Sequence, residues 1–242
     1  MTELVYLNDC YIDEFDSIIT QIADSGIVLE KTAFYPSSGG QIGDSGELVI
    51  SDNSYPVKET VIRKGKVIHK LKNFNPQEFS INMRVKGKVN WEKRYHLMKF
   101  HSAQHLISRY FQVQYGAETV GNQVKIPESR LDLKPMNSLT EIDIQKVNLE
   151  LNALLSKEMD VDIFFLKREK AIKYLIEKEY QVAYINMIPK SVTDIRIVKI
   201  SDYDYSACGG THIKNTKEIK EIQITNRTNT GKNKERVYYK VF

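Results

Sequence analysis

Two pairs of potential metal donors, far apart along the chain, limit what this sequence can fold into. His101 and His105 bracket the run His101-Ser102-Ala103-Gln104-His105, and Cys208 and His212 bracket Cys208-Gly209-Gly210-Thr211-His212. Imidazole nitrogen and thiolate sulfur are donors that Zn²⁺ prefers, and four of them complete its usual tetrahedral shell. Within each pair the donors are local, but residues 106–207 separate the two pairs. One metal site therefore requires a fold that carries the second pair back onto the first.

The two halves differ in what they signal alone. His101 and His105 stand four apart in a stretch, from Trp91 to about Gln114, that has no Gly or Pro. Leu97, Phe100, Leu106, Ile107, Tyr110 and Phe111 recur there at helical spacing, so both imidazoles project from one face of a helix. Such a pair also arises from core packing or surface chance. A metalloprotease helix needs Glu directly after its first His as general base. Ser102 occupies that position, which disfavours a protease. The Cys208 segment is more specific, because Gly209 and Gly210 reach backbone angles closed to other residues and let a loop wrap an ion. Its bland alternative is a tight turn with a buried cysteine.

The rest of the chain reads as α+β. Residues 1–90 hold short runs rich in Val, Ile and Tyr (3–12, 26–30, 47–50, 56–62, 66–71 and 83–89) separated by Gly, Asp, Asn and Pro. Arg63-Lys64-Gly65-Lys66 marks a hairpin turn, and the pattern fits a small barrel or sandwich, with a barrel as the expectation. A second helix is expected from Thr140, as N-cap with Asp143 in its first turn, to about Glu158. Residues 161–166 and 193–200 read as strands, 168–176 as a short helix, and the C-terminal segment around Ile219, Ile222, Ile224 and 237–239 as closing strands. The domains expected are a β-barrel over 1–90 and an α+β unit with the zinc site over 91–242.

Composition bounds the function. With 41% hydrophobic and 27% charged residues the chain is an ordinary soluble globular protein. Its start has no basic leader with an apolar core, and no apolar run is long enough to span a bilayer. Cys10 and Cys208 make no disulfide framework, so a reducing cytoplasm fits and leaves Cys208 free as a ligand. A net charge of +4 permits nucleic-acid binding without requiring it. Two basic clusters, Lys58 to Lys72 and Arg227 to Lys240, suit a phosphate backbone as well as a solvated surface.

A third motif runs from Thr32 to Gly46: Thr-Ala-Phe-Tyr-Pro-Ser-Ser-Gly-Gly-Gln-Ile-Gly-Asp-Ser-Gly. Its glycines allow close approach, and Ser37, Ser38, Gln41 and Asp44 are polar enough to line a pocket. Together, Phe34-Tyr35-Pro36 with its Gly-rich run, the His-x-x-x-His helix and Cys-Gly-Gly-Thr-His resemble the editing module of alanyl-tRNA synthetase and its free-standing AlaX relatives. Arg130-Leu131-Asp132-Leu133 resembles the strand that follows the His helix in that family. The resemblance covers essentially the whole chain. Ser38 stands where the family has the first glycine of a triplet, Ser102 where threonine is common, and Thr119 where the synthetase often has glutamine.

The resemblance implies a trans-editing hydrolase that deacylates mischarged tRNA(Ala), chiefly Ser-tRNA(Ala) and also Gly-tRNA(Ala). An apolar activation pocket cannot strongly reject an added hydroxyl or a smaller side chain, so a second site removes the error. It further implies Zn²⁺ held by His101, His105, Cys208 and His212. Catalytic roles are expected for His212, Thr211 and Gln104, and substrate contacts for Ser38, Gly39, Gly40, Gln41, Asp44 and Ser102. His212 could serve as ligand or as base, because a catalytic zinc keeps one position open. The partner expected is charged tRNA, with no membrane, for a monomer or homodimer. The competing readings are a non-catalytic, zinc-stabilised RNA-binding module and an editor of Ser-tRNA(Thr). A full synthetase is not expected, because the editing match uses nearly all of the chain.

Overall fold

The computed structural model describes residues 2–180, 185–186 and 188–242. Strand β1 (Glu3–Leu4) pairs in parallel with β4 (Lys31–Thr32) and leads into a 3-10 turn, Val5–Leu7. Six strands then close a barrel, in the order β2 (Glu14–Ala23), β3 (Gly26–Leu29), β7 (Lys66–Leu71), β6 (Asn53–Arg63), β5 (Gly46–Ile50) and β8 (Arg84–Val89), with β8 returning to β2. Every pair of neighbours is antiparallel. Period-two alternation does the sorting: in β7, Val67, His69 and Leu71 are buried while Lys66, Ile68 and Lys70 are not. Ile19, Ile27, Leu29, Phe34, Leu48, Val57 and Val85 fill the interior. Closure leaves no sheet edge to protect.

The expected hairpin is present. Lys64 and Gly65 both have positive φ, 49° and 73°, as a two-residue type I′ loop between twisted strands requires. Residues 3–12 were expected as one strand and are not. Beyond β1 the chain turns at Asn8 and Asp9, where the Asp9 carboxylate accepts the Tyr11 N–H at 2.9 Å. The barrel strand lies later, at Glu14–Ala23, where Asp16, Ser17 and Thr20 masked its periodicity.

Helix α1 (Trp91–Tyr115) begins directly after the barrel. Asn90 caps it by accepting the Lys93 N–H at 3.0 Å, and Gly116 ends it in the left-handed conformation. The helical stripe expected from the sequence, Leu97 to Phe111, is buried. It packs with helix α2 (Glu141–Leu155) on one face of an antiparallel sheet. That sheet has the order β14 (Ile222–Gly231), β15 (Lys234–Val241), β10 (Ser129–Lys134), β9 (Glu118–Gln123). Thr140 and Asp143 form a full capping box at the start of α2.

A second sheet of three strands, β11 (Val161–Lys167), β12 (Asp194–Ile200) and β13 (Asp204–Ala207), carries α3 (Arg168–Glu177). The α+β class and the N-terminal barrel are as expected. Strand β9 was not foreseen, since Glu-Thr-Val-Gly-Asn-Gln is poor in apolar alternation and is held by pairing with β10. Strand β13 delivers Cys208 to the middle of α1, and the Gly-rich loop of the barrel meets the same stretch of α1 from the other side.

Candidate metal centre

Helix α1 presents His101 and His105 one turn apart, and the loop after β13 brings Cys208 and His212 against them. One donor atom from each of the four side chains lies within 4.8 Å of all the others. The Cys208 Sγ is 3.6 Å from His101 Nε2 and 3.3 Å from His212 Nε2. The three imidazole centroids are 4.5 to 5.5 Å apart. Gly210 permits this approach, because a Cβ there would collide with the Cε1–Nδ1 edge of the His101 ring. The donor set and spacing fit a metal ion.

Each imidazole is held by its other nitrogen. His101 Nδ1 lies 2.6 Å from Gln41 Oε1, His105 Nδ1 lies 2.8 Å from Asp204 Oδ2, and His212 Nδ1 lies 3.1 Å from Ser102 Oγ. With Nδ1–H donating to these oxygens, the Nε2 lone pairs are left for the centre. Such outer contacts fix the tautomer and ring orientation of metal-binding histidines.

The loop has its own brace. Arg196 donates to the carbonyls of Cys208 at 2.7 Å and Gly210 at 3.0 Å, and to Leu7 O at 2.8 Å. Cys10 Sγ accepts the His212 N–H at 3.4 Å and the Arg196 guanidinium at 3.5 Å. The first ten residues therefore underpin the ligand loop.

Electrostatics favour a thiolate. Burial disfavours charge on Cys208, but the His101 and His212 imidazoles and hydrogen bonds from His101 and His105 outweigh it and hold its pKa well below the ordinary value. Burial likewise opposes charge on His105. The Asp204 hydrogen bond and the Cys208 sulfur overcome it and raise His105 to about 10. His212 goes the other way, and burial pushes it well below its usual range, so it is neutral. The metal-free state thus pairs a thiolate with an imidazolium.

The Gly-rich segment closes one side of the centre. Gln41 is buried and also donates to Thr211 Oγ1 at 2.9 Å, while accepting the Thr211 N–H at 3.3 Å. One side chain therefore bridges the barrel loop, the helix and the ligand loop. At the loop's tip, Gly40 has φ of 84°, and a Cβ there would collide with Asn122. Asn122 donates to Gly39 O at 3.0 Å and to Gln104 Oε1 at 2.8 Å, joining the tip to α1. Ser38, Gly39, Gly40 and, in part, Gln104 face solvent.

Three of the residues expected to touch substrate, Gln41, Asp44 and Ser102, are buried in the structure. Asp44 is 1% exposed; its Oδ2 accepts Tyr35 N–H at 2.6 Å and takes a two-armed ion pair from fully buried Arg94. It pins the loop to α1 and lines no pocket. Ser102 is also fully buried, with its Oγ committed to His212 and to the Ile213 N–H. Thr211 is buried on Gln41.

Asp204, Cys10, Arg94, Arg196 and Asn122 were not anticipated. Asp204 had a signal, an acid shortly before a ligand cysteine, of the kind that orients metal-bound histidine. The others are set by contacts far apart in sequence. Among the described residues no helix is long and apolar enough to cross a membrane.

The chain is similar in sequence to proteins of known family. The family model "Threonyl and Alanyl tRNA synthetase second additional domain" matches residues 195–238, and "tRNA synthetases class II (A)" matches residues 6–93. The alanyl-tRNA editing protein AlaX-M of Saccharolobus solfataricus is 34% identical, covering 100% of this chain and 99% of the relative. AlaX-M of Methanosarcina barkeri is 32% identical over 99% and 98%. The alanine–tRNA ligase of Saccharolobus islandicus is 34% identical over 93% of this chain but only 25% of its own length.

Proposed function

This chain belongs to the AlaX-M family of alanyl-tRNA editing proteins, and on that premise we propose that it hydrolyses tRNA(Ala) charged with serine or glycine. Editing of this kind is deacylation, so the protein is an ester hydrolase acting on aminoacyl-tRNA. It works in trans and in the cytoplasm, where charged tRNA is found. The observation that carries the reading is the cluster of buried His101, His105 and His212 with part-buried Cys208, each imidazole locked by a separate partner.

We assign the resident ion as Zn²⁺, held by His101, His105 and Cys208 with His212 as the fourth donor; three nitrogens and one thiolate suit it. When bound, the ion polarises the ester carbonyl and acidifies a water. The remaining chemistry belongs to the protein. Neutral His212, fixed by Ser102 through Nδ1, keeps its Nε2 lone pair toward the centre and can take a proton when it is not coordinated.

Gln104 is the polar side chain available to a serine hydroxyl. Its Oε1 is used by Asn122, which leaves its amide N–H groups for the substrate. Ser38, Gly39 and Gly40 form the pocket's outer lip, where the Gly39 and Gly40 N–H groups face the substrate while the three carbonyls are held by Tyr35 and Gln41, by Asn122 and by Val124. Gln41 and Thr211 act as positioning residues, because both are buried and bonded to each other. The barrel, residues 1–90, and the editing unit, residues 91–242, then work as two domains joined through Gln41 and Asp44.

The test is deacylation of Ser-, Gly- and Ala-tRNA(Ala) and Ser-tRNA(Thr), with and without a chelator. The reading expects release of serine and glycine from tRNA(Ala), with alanine spared and activity lost on metal removal. RNA binding without hydrolysis would identify a non-catalytic module instead. Preference for Ser-tRNA(Thr) would reassign the substrate.

A further inference from the structure

The C-terminal basic cluster has no role in the centre described above. Folding spreads part of it over one face of the four-stranded sheet. Register places Gln123, Arg130, Tyr238 and Asn226 in one row across β9, β10, β15 and β14, and Gly121, Asp132, Arg236 and Thr228 in the next. Lys240 and Lys234 continue β15 on the same side. The opposite face carries Leu131, Leu133, Val237 and Tyr239, which pack with α1 and α2. Among the described residues both helices thus lie on the apolar side, and the basic side remains half-exposed.

This face is prepared for anions rather than merely charged. Asp132 is nearly buried and receives Arg236 in a two-pronged contact at 2.6 and 3.1 Å, Arg130 at 3.2 Å and Lys234 at 3.4 Å. One carboxylate therefore orders three cations and leaves the group net positive. A guanidinium has five N–H donors, and Arg236 uses two of them here. Side chains already fixed lose less entropy when they bind a partner.

Position identifies the partner. Strand β9 is the sheet's outer member, and its side chains alternate between the two faces. Gln123 lies in the Arg130 row, while Asn122 turns to the other side and holds Gln104 and Gly39 beside the metal cluster. A polyanion lying across the basic face would therefore meet the pocket at the β9 edge. We propose that this face is the track for the phosphate backbone of the RNA whose charged 3′ end enters the pocket. The face is open and extended, and its cations follow a strand, which suits a repeating phosphate chain better than a single small anion. The inference rests on the reading of charged tRNA as substrate.

Arg130→Gln and Lys240→Gln, singly and together, test it, since Arg236 and Lys234 still satisfy Asp132. The first measurement is anisotropy of labelled, uncharged tRNA(Ala) over a range of salt, which needs no catalysis. Each lost contact should lower the slope of log affinity against log salt by about 0.9, and the double variant should bind roughly tenfold more weakly at low salt. The second is deacylation of Ser-tRNA(Ala) against a seryl-ester of the terminal CCA trinucleotide. KM should rise for the whole tRNA and stay unchanged for the fragment. An unaltered salt slope, or equal losses on tRNA and fragment, overturns the proposal. If wild type binds tRNA with the expected slope but releases no serine, the substrate reading fails while the binding face stands.

Discussion

Gln41 Oε1 lies 2.6 Å from Nδ1 of His101, so a residue of the barrel's glycine-rich loop sets the ring of a donor on helix α1. The same amide holds Thr211 in the ligand loop, so this one side chain ties all three segments together. Truncation should therefore loosen the metal rather than unfold the chain. Gln41→Ala is expected to weaken metal affinity by about 10- to 100-fold. Competition with a chromophoric chelator measures this. Deacylation should fall with it and recover in part at high metal concentration.

Asp204 and His105 define how metal uptake depends on pH. Burial opposes the His105 charge, but the Asp204 carboxylate and Cys208 sulfur raise its pKa to about 10, while Cys208 is already a thiolate. A raised value means that the imidazolium stabilises the metal-free fold below the ordinary 6.5 and that this contribution is lost as pH climbs through about 10. Metal must displace that proton, so affinity should rise with pH across the same interval. Calorimetry at pH 7.5 in buffers of different ionisation enthalpy should show about one proton released per ion bound. Asp204→Asn removes the charge that holds the proton, and proton release should shrink.

The donors of this centre were legible because local spacing reveals them: a helix period for His101 and His105, a glycine loop for Cys208 and His212. Helix α2 was legible for the same reason, with Thr140 and Asp143 three apart. What holds the donors was not. Asp204 reaches His105 and Arg196 reaches Leu7 only because strands pair across long separations, and no periodicity encodes such contacts. The ion pair of Asp44 was not legible either, because an acid in a glycine-rich loop suggests a pocket, whereas its partner Arg94 lies fifty residues later on an amphipathic helix. Strand β2 was hidden because its polar residues look like a turn until β3 and β8 flank it.

That Asp44–Arg94 pair joins the barrel loop to α1 without contact with solvent. Removing one partner strands the other charge in the interior. Asp44→Ala should cost about 3–5 kcal/mol of stability, read as a fall in urea midpoint. An Asp44→Leu/Arg94→Met double variant should lose less than either single change, because neither charge is left alone. Additive losses would show that the two residues act independently.

His69 sits fully buried in the barrel, with Nε2 2.7 Å from Thr32 Oγ1 and Nδ1 3.2 Å from Ile27 O. Burial lowers its pKa to about 4, against an ordinary 6.5. The sign follows from linkage: the unfolded chain takes up the proton first, so the contribution is complete above about 6.5 and drains away as pH falls toward 4. Integrated over that interval it amounts to about 3 kcal/mol. His69 is distant in sequence from the metal donors, so the effect should persist in a Cys208→Ala background. Urea midpoints at pH 7 and pH 4.5 should diverge for wild type and converge for His69→Gln, whose amide cannot take up a proton. If the two proteins lose stability in parallel, the acid sensitivity of the fold lies elsewhere.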